Sequence, residues 1–353
     1  MKKITYIIAI VLYTVLLRAQ DFHFSQFNEN PSLVNPALTG SQHSMRASIV
    51  YKNQWKTVTT PYKTYGFSFE SKFKPGNWES VDPRTSMTFK RSYSRMAGGL
   101  SVYSDNAGDA NMKTFQTNGT LAMLFPLSKH SALSLGMQGS VTQRKIGNSN
   151  LIYPNQYNGT NYDPSMVSGE GKYSQTLLYP EMAAGLAWMY GHTEKSMTAN
   201  NQVKAAIGFA TYHINRPRQN FASNTVRQYR KYVFHGVITI GIPNTMTAIE
   251  PSWLVQVQGP NKEIILGTKV KYFLSDESKY TGIHKRNSVG FGLYYRNYDA
   301  LVLSVSYDGP MYSIGVNYDS NISSLAVASK SVGGIEINLK FFTPNAYLYQ
   351  KRR

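Results

Sequence analysis

Seven His residues, at 23, 43, 130, 192, 213, 235 and 284, are the side chains of this chain best suited to acid–base or metal chemistry, and their scatter supports neither. There is no His-x-x-x-His pair to grip a metal from one helical face, no nucleophile elbow around a Ser and no Gly-rich phosphate loop. Asp105, Asp109 and Asn111 share one loop. They lack the alternate-position ligands and closing Glu of an EF-hand, so the loop reads as a turn. His23 and His43, with no acidic partner in register, read as packed or solvated. The absence of Cys removes thiol catalysis, disulfides, thiolate metal sites and a lipidated cysteine together. No enzyme, cofactor or metal site is expected, and recognition by charge and aromatic surface is what remains.

The charge is concentrated. The formal net charge of +18 becomes +15 once Lys2, Lys3 and Arg18 are set aside with the leader described below. Between His213 and Lys231, Arg216, Arg218, Arg227, Arg230 and Lys231 occur without one acidic residue. Two readings stay open: a basic surface that holds an acidic protein domain or lipopolysaccharide phosphate by bidentate Arg pairing, and a solvated loop of a generally basic protein. No nucleic-acid partner is expected.

These residues need a scaffold, and the chain writes one by alternation. Ile335, Ile337, Leu339 and Phe341 fall on one face of an extended segment, with Glu336, Asn338 and Lys340 on the other. Leu301, Leu303, Val305 and Tyr307 oppose Val302, Ser304, Ser306 and Asp308, and Val289, Phe291, Leu293 and Tyr295 oppose Ser288, Gly290, Gly292 and Arg296. Each segment runs about ten residues, the length a tilted strand needs to cross a bilayer. Lys2 and Lys3, the apolar run Ile4 to Leu17 and the small Ala19 read as a secretory signal peptide over residues 1–19. No transmembrane helix is expected after it. A mean hydropathy of −0.34 suits strands with only one lipid-facing side. The 26 Tyr and 4 Trp suit aromatic girdles, with Tyr51, Tyr103, Tyr190, Tyr272, Tyr307 and Tyr318 near segment ends. The expected fold is all-β: a transmembrane antiparallel β-barrel in a bacterial outer membrane, in contact with outer-membrane lipid.

Fourteen strands are predicted near residues 44–52, 62–71, 96–104, 113–124, 132–145, 180–190, 202–212, 231–242, 246–258, 262–273, 287–296, 299–308, 310–319 and 332–341. An even number returns both chain ends to the periplasm, placing 146–179 and the basic 213–231 outside and the short 125–131 and 243–245 connections inside. Residues 72–95 then form a long inner connection, which either enters the lumen or marks a slip in the count. Lys269, Lys271, Arg296 and Lys340 fall on inward faces, where a wet lumen or carboxylates such as Glu336 and Asp308 can hold them. A barrel over 44–342 is followed by a basic tail, 343–353.

Residues 20–43 form an irregular segment whose two Pro and several Asn deny a strand, while Phe22, Phe24 and Phe27 require packing at the barrel mouth or lumen, as a plug would. This segment, with Gln20-Asp21, Phe24-Ser25-Gln26-Phe27, Asn35-Pro36-Ala37 and Gly40-Ser41, then Arg46 and Gln54-Trp55, resembles the start of the PorP/SprF family of the Bacteroidota type IX secretion and gliding systems. The likeness continues through Tyr62, Thr64, Tyr65 and Ser68, Gly98 to Val102, Asp105 to Gly108 and the C-terminal strands. It implies a non-enzymatic partner of secretion that exports or retains cargo, often a large adhesin, through the cargo's C-terminal domain. It also implies contact with other components, some periplasmic and peptidoglycan-associated. The candidate partner-binding residues are Phe24, Asn35, Pro36, Arg46, Trp55, Arg216, Arg218, Arg227, Arg230 and Lys231. The competing reading is an outer-membrane porin or substrate-selective channel.

Overall fold

The computed structural model describes residues 23–343 except 58–59, 74–78, 82–87, 91–94, 109, 129, 146, 148–152, 168, 170–175, 193–199, 201, 220–225, 276–286 and 324–325. The segment expected to be a signal peptide, residues 20–22, Asp109, His284 and the tail from 344 therefore lie outside the described residues.

Fourteen antiparallel strands close into a barrel in chain order. They are β1 (Met45–Gln54), β2 (Tyr62–Lys72), β3 (Arg95–Ala107), β4 (Met112–Pro126), β5 (Ser131–Lys145), β6 (Thr176–His192) and β7 (Val203–Tyr212), then β8 (Lys231–Gly241), β9 (Thr247–Gln258), β10 (Asn261–Phe273), β11 (Ser288–Arg296), β12 (Ala300–Asp308), β13 (Tyr312–Asn321) and β14 (Val332–Phe342). β14 returns to β1, with Arg46 opposite Phe342 and Gln54 opposite Gly334. The expected count holds across residues 72–95, where Glu79–Val81 pairs with Thr88–Lys90 in a small hairpin of its own.

Side-chain parity decides the faces. Ile335 is 49 % exposed and Ile337 43 %, whereas Glu336 and Asn338 between and beyond them are 1 % exposed. The exposed apolar side faces lipid, and the polar side faces a shared interior. Pro251 in β9 lacks the N–H a ladder needs, and the β8–β9 pairs skip from Val237–Ser252 to Ile240–Ile249 across it. No helix among the described residues is long and apolar enough to cross a membrane.

The wall is uneven. β4 and β5 have 15 residues and β6 has 17, against 9 in each of β11 and β12. β6 meets β7 only from Ala184 onward, so its first half stands beyond its neighbour at the end opposite the chain termini, called the distal end. There Ile214 N–H donates to Met182 O (3.0 Å), and Asn215 Nδ2 donates to Pro180 O (2.7 Å). The segments 146–179 and 213–231 expected outside correspond to distal connections of 146–175 and 213–230, while 127–130, 242–246 and 309–311 are short turns at the terminal end.

Aromatic pairs mark both ends: Tyr51 with Tyr65 (5.1 Å) distally and Tyr307 with Tyr312 (6.0 Å) at the terminal end. Tyr103 is a correction to the expected girdle. It is 1 % exposed and packs inward with Phe24 and Val50, because it shares parity with Asp105 rather than with lipid-facing Leu100. The face assignment has a direct check. Leu303→Arg, at a lipid-facing position in mid-β12, is expected to cost about 2–4 kcal/mol of unfolding free energy in bilayers, measured by urea titration of Trp emission. No loss would place that face elsewhere.

Candidate functional site

Residues 23–43 lie against the inward faces of the wall, and the site is built from that contact. Short helical turns at Phe27–Glu29, Pro31–Val34 and Pro36–Leu38 shape the segment. Pro presets φ at the start of the last two, and Asn35 Oδ1 accepts from Ala37 N–H at 2.9 Å to cap the third.

Three sets of contacts follow the chain from the distal end. At the first, Ser25 Oγ donates to Asp319 (2.6 Å), and the backbone N–H groups of Ser25 and Gln26 donate to Glu336 (2.7 and 3.3 Å). Arg296 binds Asp319 (2.7 Å) and Ser25 Oγ (3.0 Å), and Lys52 Nζ donates to His23 O (3.0 Å). At the second, Glu29 sits between Lys269 (2.8 Å) and Lys340, with Asn30 accepting from Ser48 Oγ (2.9 Å). At the third, Asn35 Nδ2 reaches Leu186 O (3.0 Å), Phe209 O (3.3 Å) and His235 Nε2 (3.0 Å), while Ala37 O accepts from Ser134 Oγ (2.6 Å). Glu70 closes the run, binding Arg46 at 2.5 Å and accepting from Gly40 N–H at 2.9 Å. Such enclosed charges persist only in pairs, since removing one partner strands the other. His43, just before β1, stacks on Phe342 at 4.2 Å. Burial, with Arg46, Lys340 and Lys72 nearby, pushes its imidazole down to about 3, so it is neutral.

The wall is cut to receive Asn35-Pro36-Ala37. Gly136 on β5, Gly185 on β6 and Gly208 on β7 face inward, and a Cβ at any of them would collide with Ala37 and Pro36, with Asn35, or with Asn35 and His235. Strand glycines signal close backbone approach, but which chain approaches is not written locally. His235 and Glu29 were likewise missed, since nothing in sequence links them to partners 200 and 311 residues away.

Two charge expectations change. His23 does have an acidic neighbour, Glu263 of β10 at 3.6 Å. Lys271 meets Asp308 (3.9 Å) as expected, with Glu250 nearer (2.7 Å), but Glu336 serves Lys52 and the N-terminal backbone instead of the other inward lysines.

The candidate partner-binding residues fall into two groups. Phe24, Asn35, Pro36 and Arg46 are engaged inside the barrel. Arg216, Arg218, Arg227 and Arg230 are exposed at the distal rim, where Arg218 stands directly opposite Arg227 in a small hairpin. Like charges in that position repel unless an anion joins them. Lys231 is half-buried at the top of β8, 5.6 Å over the Tyr212 ring. Trp55 holds a positive φ of 55° at the same rim and meets Tyr62 edge-on at 4.7 Å. Gln219 ties the hairpin to the wall through Tyr179 OH (3.0 Å) and Arg144 (3.1 Å).

A family model described as type IX secretion system membrane protein PorP/SprF matches residues 16–341. No curated protein matches the chain. Among solved structures, the toluene transporter TodX of P. putida covers 90 % of this chain and 94 % of its own, at 9 % identity and a TM-score of 0.45. The Ralstonia pickettii toluene transporter TbuX covers 88 % and 93 %, at 11 % identity and a TM-score of 0.41.

The glycine notch generates a test. Gly185→Val is expected to expel Asn35 and expose residues 23–43 to protease in detergent-purified barrels. Gly139→Val, where an added Cβ meets nothing within 4 Å, leaves the segment protected. Equal protection in both would mean the notch does not hold the segment.

Proposed function

We propose, from the premise that the chain belongs to the PorP/SprF family of type IX secretion system membrane proteins, that this outer-membrane barrel is a non-enzymatic adaptor. It binds the C-terminal domain of a secreted surface protein, such as a large adhesin of a gliding cell, for export or for anchoring at the surface. Residues 23–43 act as a plug. The observation that carries this reading is the ring of contacts between that segment and β1, β2, β5, β6, β7, β8, β10, β11, β13 and β14, which leaves the rims as the surfaces for recognition.

Cargo docks at the distal rim, where Arg216, Arg218, Arg227, Arg230 and Lys231 attract an acidic domain and Trp55 offers an aromatic anchor. An extended cargo segment can also add to β6 at residues 176–179, beyond the Pro180–Met182 stretch that Ile214 and Asn215 already occupy. Phe24, Asn35, Pro36 and Arg46 act from within, holding the plug against the wall. Other secretion components, including periplasmic peptidoglycan-associated ones, meet the terminal end. A porin is the rival, and it needs an open lumen and no protein partner.

Replacing the five basic residues with Gln is expected to shed cargo from the cell surface into the medium, read by immunoblot of both fractions; undiminished retention removes the electrostatic part of the reading. In planar bilayers the intact barrel is expected to carry little steady current, and deletion of residues 23–40 to open it. An intact barrel that conducts as an open pore decides for the porin.

A further inference from the structure

The outward face of the barrel has its own charge pattern, independent of any cargo. Strand parity sends almost every Lys, Arg, Asp and Glu of the wall inward, including Glu70, Asp105 and Glu181 in the first six strands. Among the described side chains, the charged residues with lipid-facing parity are Lys63, Lys113, Lys145 and Lys262. All four carry the same sign. Each is the second residue of a strand descending from the distal rim or the last of one rising to it.

Three of them share a single register row. Lys63 pairs with Asn106, Asn106 with Lys113, and Lys113 with Lys145, so the row crosses β2 to β5 without an acidic residue. Adjacent strands lie about 4.8 Å apart, which sets Lys113 and Lys145 side by side. Like charges directly opposite are destabilising without a counter-ion. None of the three makes an ion pair among the described residues. The next row toward the bilayer holds Tyr65 and Phe115, 53 % and 46 % exposed, alongside the uncharged Ser104 and Gln143, and the row below it Phe67, Val102 and Val141 with Thr117. Cations therefore begin where the apolar band ends, on the lipid side of the wall, where a soluble ligand would have to displace lipid to reach them.

We propose that Lys63, Lys113 and Lys145 bind the phosphate groups of a glycolipid headgroup, that of lipid A, in the outer leaflet. Acyl chains lie along Phe67, Leu121 and Met137, and the amide of Asn106 contributes a neutral hydrogen bond to the sugar between the lysines.

Native mass spectrometry of the detergent-purified barrel, titrated with lipid A, tests this. The triple variant Lys63→Gln, Lys113→Gln, Lys145→Gln is expected to weaken binding roughly a hundredfold, from the contribution of each cation near an anionic surface. The triple Lys→Arg variant retains it, and Lys262→Gln, a lone lysine on the same face, changes it less than about threefold. Dephosphorylated lipid A is expected to bind as weakly to the wild type as lipid A does to the triple Gln variant. Equal binding of both lipids, an effect of Lys262→Gln as large as that of the triple variant, or full displacement by excess inorganic phosphate each overturns the proposal. The last outcome would mark an ion site rather than a lipid site.

Discussion

Closure of the sheet governs the rest of this molecule. In hydrocarbon no backbone donor or acceptor can be left for water, so a strand may end in the bilayer only against another strand. The β1–β14 ladder removes the last edge, and the curvature it imposes divides every strand into a lipid side and an enclosed side. Charges on the enclosed side then need partners at fixed positions. The wall supplies some for itself, as in Lys271 with Glu250, but Lys269 and Lys340 meet on Glu29, which belongs to the N-terminal segment. The segment is thus part of the electrostatic balance of the barrel and not an accessory laid within it.

The same constraint explains what could be read from sequence. A period of two, repeated over fourteen segments, fixes strand number and faces because one slip would place Glu336 in lipid and Ile337 in the lumen. Tyr103 was legible too, since Leu100 and Val102 set the parity that turns it inward, and position at a strand end was the weaker guide. What was not legible is long-range. Gly136, Gly185 and Gly208 are separate small residues in sequence and one notch only after β5, β6 and β7 stand side by side. The Asn-Pro-Ala motif was visible, but its receptor was scattered over some seventy positions.

Net charge, likewise, says little until parity sorts it. Inward cations such as Lys269 and Arg296 are neutralised by nearby carboxylates and contribute mainly to holding the fold in one arrangement. Among the described residues, the outward lysines and the rim arginines make no ion pair. They lie at the distal end. Exposed cations set side by side at that rim favour anions there, whether lipid or protein.

Passage through such a barrel and binding at its rim make different demands. Opening the lumen along the N-terminal segment would break the contacts of Ser25, Glu29 and Asn35 together, stranding Arg296, Lys269 and Lys340 with fewer partners. At about 3–5 kcal/mol for each buried pair broken one-sidedly, that sum approaches the whole stability of an ordinary domain. Rim recognition leaves these contacts intact and uses residues already exposed and already in mutual repulsion, such as Arg218 and Arg227. An anionic partner docking there would relieve that repulsion, and the free energy of such an association would come from the surface and not from dismantling the interior.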